Sequence, residues 1–143
     1  MSKLINKNGQ VAVLYSRDYG EGWSTEVENS LKKFFMFDAG LVQLVRDKST
    51  IVELQAYLEQ KSICIAPYND EGLVPLVRDK SNTTELLAQL EQKGVCIVSY
   101  NIHYSWENIG IRWVDQGVRF RIEEYDGKEY FVFPEQDTAW YVA

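Results

Sequence analysis

The chain has 143 residues, 45% of them hydrophobic and 25% charged, a composition that fits one folded domain with a sizeable core and excludes a disordered chain. Its 15 Lys and Arg against 21 Asp and Glu give a formal net charge of −6, which argues against indiscriminate binding to DNA, RNA or anionic membranes. No run reaches the ~18 apolar residues of a membrane-spanning helix. The first residues also lack a signal-peptide pattern, so a cytoplasmic protein is expected.

Residues 1–10 form a polar leader, and Val11-Ala12-Val13-Leu14-Tyr15 reads as a short buried strand. Residues 16–24 (Ser-Arg-Asp-Tyr-Gly-Glu-Gly-Trp-Ser) are a glycine-punctuated loop. A helix is expected next, with Ser24 or Thr25 as N-cap and Thr25 and Glu28 at capping-box spacing. Val27, Leu31, Phe34 and Phe35 mark its buried face, and Asp38-Ala39-Gly40 its end.

The middle of the chain is a repeat. Residues 41–69 return as 73–101, and 19 of the 29 aligned positions are identical, so each copy should be one supersecondary unit. Leu41, Val42, Leu44 and Val45 recur as Leu73, Val74, Leu76 and Val77, in steps that suit a short helix better than a strand. A second helix follows at about 50–61 and 83–93. Its expected caps are Thr50 with Glu53 and Asn82 with Glu85, Leu54 and Leu58 point inward, and Gly94 closes the second copy. Each copy ends in a strand, 62–67 or 95–100. The two strands are expected to neighbour each other and bring Cys64 near Cys96, both read as buried free thiols.

From residue 109 the pattern changes to period two, predicting a β-meander over 109–143. Ile111 and Trp113 precede a turn at Asp115-Gln116-Gly117. Val118, Phe120 and Ile122 then share one face and Arg119, Arg121 and Glu123 the other. Asp126-Gly127 is a two-residue hairpin signal, and residues 138–142 make a last strand. The expected fold is α+β: one domain over 1–143, an antiparallel sheet ending in the meander, helices mainly on one face, and the duplicated helix–strand unit within it.

Three groups of residues carry candidate chemistry. In the loop before the first helix, Gly20, Gly22, Ser24 and Thr25 offer N–H and hydroxyl donors to an anion, phosphate above all, with Tyr19 or Trp23 as a stacking surface. The other reading is a tight turn whose Trp23 plugs the core. Arg119 and Arg121, with Arg112 on the preceding strand, would supply countercharge by bidentate hydrogen bonds. Alternatively they lie on a solvated face, paired across strands to Glu129 or Glu124. Asn101, His103 and Tyr104, with Trp106 nearby, would stack on and read a base; the other reading is a structural His103. Asp18, Glu21 and Asp38 are uninformative without geometry. No catalytic set, metal site or cofactor motif is legible.

Residues 13–25 (Val-Leu-Tyr-Ser, then Tyr-Gly-Glu-Gly-Trp-Ser-Thr) and 120–127 (Phe-Arg-Ile-Glu-Glu-Tyr-Asp-Gly) carry a resemblance. They resemble the two signatures of small phage-encoded proteins, mostly without an assigned activity. In those proteins a strand leads through Gly-x-Gly-Trp-Ser-Thr into a helix, and the chain closes with an Arg-Ile-x-Glu-Tyr-Asp-Gly hairpin. The likeness covers roughly the first 30 and last 35 residues. The duplicated middle departs from it, since the family is associated with a single helical insert.

The resemblance implies a phage accessory protein in the cytoplasm of the host bacterium. Joined to the candidate residues, it leads to the expectation of an anti-defence sponge. Such a protein is non-enzymatic, without cofactor, and acts as a homo-oligomer. It binds a nucleotide second messenger, a cyclic ADP-ribose isomer or a cyclic oligonucleotide, and sequesters it uncleaved. The alternative is an inhibitor that docks an acidic, aromatic surface on a host defence protein. A small nucleotide hydrolase is third.

Overall fold

The computed structural model describes residues 2–65, 94 and 96–134. The fold is α+β. In chain order it has β1 (Gln10–Ser16), a 3-10 turn (Ser24–Glu26), α1 (Asn29–Phe37), α2 (Ala39–Arg46), α3 (Ile51–Gln60) and β2 (Ile63–Ile65). There follow β3 (Cys96–Val98), α4 (Ile102–Trp106), β4 (Ile109–Asp115), β5 (Arg121–Tyr125) and β6 (Lys128–Val132). Among the described residues no helix is long and apolar enough to cross a membrane.

From Val11 to Leu14 the apolar run of β1 is buried because apolar residues pack against both of its faces, and Tyr15 is half-buried. Ala12 and Leu14 join the main core with Trp23, Phe35, Leu41, Leu54 and Leu58. Val13 points the other way, onto Val114 and Phe131. Since side chains alternate along a strand, β1 contributes to both clusters, and Met36 and Phe37 of α1 pack on the second with Phe120 and Ile122.

Asp38 sets the junction between α1 and α2. It lies outside both helices and caps the second: its buried carboxylate accepts from the Leu41 N–H (3.1 Å) and from the Tyr57 hydroxyl (2.5 Å). Burial, and then this bond to Asp38, push the Tyr57 phenol well above its ordinary pKa. Residues 2–5 strap across the junction through backbone pairing of Lys3 with Asp38 and of Ile5 with Val11.

Several expectations hold in the first copy of the repeat. Residues 41–46 are helical, Thr50 and Glu53 form a reciprocal capping box, and Leu54 and Leu58 are fully buried. The helical part of the second copy lies outside the described residues, as does the last strand expected at 138–142.

The sheet differs from expectation. Instead of one antiparallel sheet, the described strands form three pairs: β1 with β4 and β5 with β6 antiparallel, β2 with β3 parallel. The register is one step off the repeat, so Cys64 faces Ile97 and Cys96 faces Ile63. Both thiols are free, Cys64 buried and Cys96 half-buried.

The meander is interrupted too, because β4 leaves it to pair with β1, and among the described residues β5–β6 alone remains a hairpin. Its turn, Asp126-Gly127, has φ of 49° and 86°, the left-handed pair a two-residue hairpin requires. The first helix starts at Asn29, later than expected, because Thr25 does not cap it.

One position recurs in both copies with the same backbone. Ser62 (φ 60°) and Gly94 (φ 83°) occupy equivalent places before β2 and β3, and both are left-handed. A side chain costs roughly 1–2 kcal/mol there, partly offset by the entropy that glycine loses on folding. Ser62→Gly is therefore expected to raise the urea unfolding free energy by about 0.5 kcal/mol, and Gly94→Ser to lower it by a similar amount.

Candidate functional site

The loop between β1 and α1 does hold an anion, and the anion is Glu129 of the chain itself. This side chain is only 2% exposed. One carboxylate oxygen accepts from the Ser16 N–H at 2.8 Å. The other accepts from the N–H groups of Trp23 and Thr25, both at 2.9 Å, and from the Thr25 hydroxyl at 2.7 Å. Four donors to one carboxylate offset much of the cost of burying its charge. They also explain why Thr25 does not cap α1: its N–H and hydroxyl are both committed to Glu129.

Other groups of this loop are engaged as well. The Gly20 N–H donates to the Asp126 carbonyl at 2.6 Å, and the Gly22 N–H to a Glu26 carboxylate oxygen at 3.4 Å. Trp23 is fully buried, packs on Phe35 and Trp106, and donates its indole N–H to the Phe35 carbonyl at 2.6 Å. Of the two readings of the loop, Trp23 as a core plug is the one the structure contains. It offers no stacking surface to a ligand.

The hairpin turn closes over the outside of the loop. Gly127 lies so near the backbone of Gly20 and Glu21 that an added Cβ would collide with it. Tyr19 remains 62% exposed, edge-on to Tyr125, with the Lys128 ammonium 5.3 Å from its ring centre.

The eight candidate ligand residues therefore divide. Tyr19 and Gly20 border a cavity of about 430 Å³ that also has Glu21, Tyr104 and Glu107 in its wall. The Glu21 carboxyl is raised above its ordinary pKa, first by burial and then by repulsion from Glu26 and Glu124. Gly22 and Trp23 are buried. Ser24, Thr25, Arg119 and Arg121 come together on a different cavity, of about 600 Å³, between α1 and residues 117–122.

This second cavity is the candidate site. Lys3, Lys32, Lys33, Arg119 and Arg121 line it, and no carboxylate does among the described residues. Met36 and Phe37 of α1 and Val118, Phe120 and Ile122 opposite supply apolar surface. The Lys32 ammonium is held by the Ser24 carbonyl at 3.0 Å, and the Lys3 ammonium lies 4.5 Å from the Phe37 ring centre. Phe37 meets Phe120 edge to face at 6.0 Å. Arg121 pairs with Glu123 at 3.1 Å, an exposed contact that solvent weakens. A lining of this sign complements a bound anion.

The remaining candidates lie elsewhere. Arg112 stacks over Phe131 and Phe133, at 4.8 and 5.0 Å from their ring centres. Residues 102–106 are a short helix; Trp106 is buried and donates to the Ser49 carbonyl at 2.9 Å, while His103 stacks on Tyr100. Asp38 is the cap described above. No group of three or more His, Cys, Asp or Glu among the described residues could hold a metal ion.

Two features were missed from sequence. The solvated-face reading makes Glu129 or Glu124 a solvent-facing partner of the arginines, yet β6 alternates exposed and buried from Lys128 to Phe131 and Glu129 is inward. A glutamate on the inward side of a hairpin is the signal that could have found it. Lys32 and Lys33, one turn before Met36 and Phe37, belong to none of the candidate groups legible in the sequence.

Comparisons with protein-family models, with curated proteins and with solved structures gave no match to this chain.

Because the buried Glu129 has four donors converging on it, Glu129→Gln leaves at least one of them facing an amide N–H. The variant is expected to lose roughly 3 kcal/mol of stability, read as a lower denaturant midpoint at unchanged slope. A variant as stable as the parent would mean that the carboxylate does not hold the loop.

Proposed function

We propose that this protein binds a phosphate-bearing nucleotide second messenger and sequesters it without cleaving it, in the cavity between α1 and residues 117–122. One observation carries the reading: in a chain of net charge −6, five cationic side chains line one cavity whose wall has no carboxylate among the described residues. Its volume, about 600 Å³, falls within the range of small-molecule sites, and its mixture of cationic and aromatic surface suits a phosphate joined to a base. Lys33, Arg119 and Arg121 supply countercharge, and Phe37 and Phe120 an apolar wall. The phage setting, the anti-defence role and the host cytoplasm rest on the resemblance of residues 13–25 and 120–127. Action as a homo-oligomer belongs to the same proposal.

A second reading is favoured by the exposed tyrosines. Tyr19 and Tyr125 are 62% and 73% exposed, in edge-to-face contact beside Glu21 and Glu124. Exposed aromatics amid carboxylates suit docking onto a basic patch of a host defence protein.

A thermal-shift screen of the purified protein against ADP-ribose, its cyclic isomers and cyclic di- and trinucleotides tests the first reading. A ligand at 100 times its dissociation constant should add about 2.7 kcal/mol, a rise of several degrees, and chromatography should recover it intact. Arg119→Glu combined with Lys33→Glu should abolish the shift, whereas Tyr19→Ala with Tyr125→Ala should leave it. Recovery of a cleaved product would favour a hydrolase. The absence of any shift would favour the protein-docking reading.

A further inference from the structure

The cavity bordered by Tyr19 and Gly20 has a lining opposite in sign to that of the candidate site. Glu21 from the β1–α1 loop and Glu107 after α4 supply carboxylates, Tyr19 and Tyr104 supply rings, and no Lys or Arg lines it among the described residues. Its volume, about 430 Å³, lies within the range of small-molecule sites. It shares no lining residue with the cationic cavity.

The carboxylates are available. Neither Glu21 nor Glu107 belongs to an ion pair among the described residues. Glu21 is half-buried, and its carboxyl is raised above its ordinary pKa, first by burial and then by repulsion from Glu26 and Glu124. A cation brought close favours the ionised form and offsets both effects. The rings are exposed yet positioned by neighbours. Tyr104 lies edge to face with Tyr100 at 6.2 Å between centroids, and Tyr19 with Tyr125 at 6.4 Å. The face of an aromatic ring attracts cations, as the Lys128 ammonium over Tyr19 already illustrates.

Charge alone would fit a metal ion as well as an organic cation. A hard metal ion, however, calls for several oxygen ligands, and no group of three or more His, Cys, Asp or Glu among the described residues could hold one. Two carboxylates with two rings match an organic cation instead, since the rings add attraction without coordinating.

We propose that this cavity binds an alkylammonium group, with Glu21 and Glu107 as countercharge and Tyr19 and Tyr104 as its aromatic wall. The ammonium belongs either to a free amine or to a lysine side chain of a partner protein. The second source rests on the protein-docking reading and gives it a chemical target.

The test is amide proton–nitrogen correlation NMR of the full chain during titration with cadaverine and with Nα-acetyl-lysine methylamide, which presents one lysine side chain. The uncharged diol of the same length as cadaverine is the control. The amide signals of Gly20, Glu21, Glu107 and Asn108 should shift saturably with at least one amine, at a dissociation constant of about 1 mM or below, and stay in place with the diol. Glu21→Gln and Glu107→Gln should each weaken binding about fivefold, the loss of one partly exposed ion pair. Tyr104→Leu should weaken it about threefold. Glu107 is exposed, so its substitution reads the site even if Glu21→Gln unfolds. Tighter binding of the lysine derivative assigns the ammonium to a partner protein, and tighter binding of cadaverine to a free amine. Shifts that never saturate, an equal response to the diol, or undiminished binding by the Glu107→Gln variant would overturn the site. The thermal-shift screen reads the other cavity, so failure here leaves the nucleotide reading standing.

Discussion

Everything near the candidate cavity depends on one buried carboxylate. Glu129 reaches from β6 across the end of β1 and accepts from both sides of the loop, at Ser16 and at Trp23 and Thr25. A buried charge without partners is costly, so the hairpin and the loop must stay together for its donors to remain in place. The contact also sets the loop's shape. Trp23 is drawn in, where its ring meets Phe35 and Trp106, and Gly127 is brought down onto the backbone of residues 20 and 21. Loop and hairpin meet at the Glu129 carboxylate.

That packing creates the cavity. The turn at Ser24–Glu26 leads into α1, and the hairpin anchored by Glu129 begins with Arg121, so residues 117–122 are held beside the helix face bearing Lys32, Lys33, Met36 and Phe37. The field there is opposite in sign to that of the molecule as a whole. A localised positive surface in an acidic protein selects compact anions over long polyanions: nearby cations attract the small ligand, while the negative remainder repels an extended nucleic-acid backbone.

The far side of the same loop has the opposite character. Tyr19 and Tyr125 stand exposed, with the Lys128 ammonium over the Tyr19 ring, and the Glu21 carboxyl is raised by burial and by repulsion from Glu26 and Glu124. The loop thus separates a cationic cavity from an acidic, aromatic edge, and Glu129 lies between them. The two functional readings map to these two sides, which is why substitutions on each separate them.

Local regularities of the sequence determined much of the fold. The apolar run of β1, the capping box at Thr50 and Glu53, the inward Leu54 and Leu58 and the Asp126-Gly127 turn depend only on neighbours within a few residues. The backbone periods of 3.6 and 2, and the steric demands of caps and turns, make such features readable. Sequence also identified the loop at 16–25 as a place for an anion, because unpaired N–H groups before a helix have that property wherever they occur. Only the tertiary structure decided that the anion is Glu129, 104 residues beyond Thr25, that β4 leaves the meander to pair with β1, and that Lys3, Lys32 and Lys33 join Arg119 on one cavity. Which donor meets which acceptor across such separations is set by how the layers pack, and no local pattern records it.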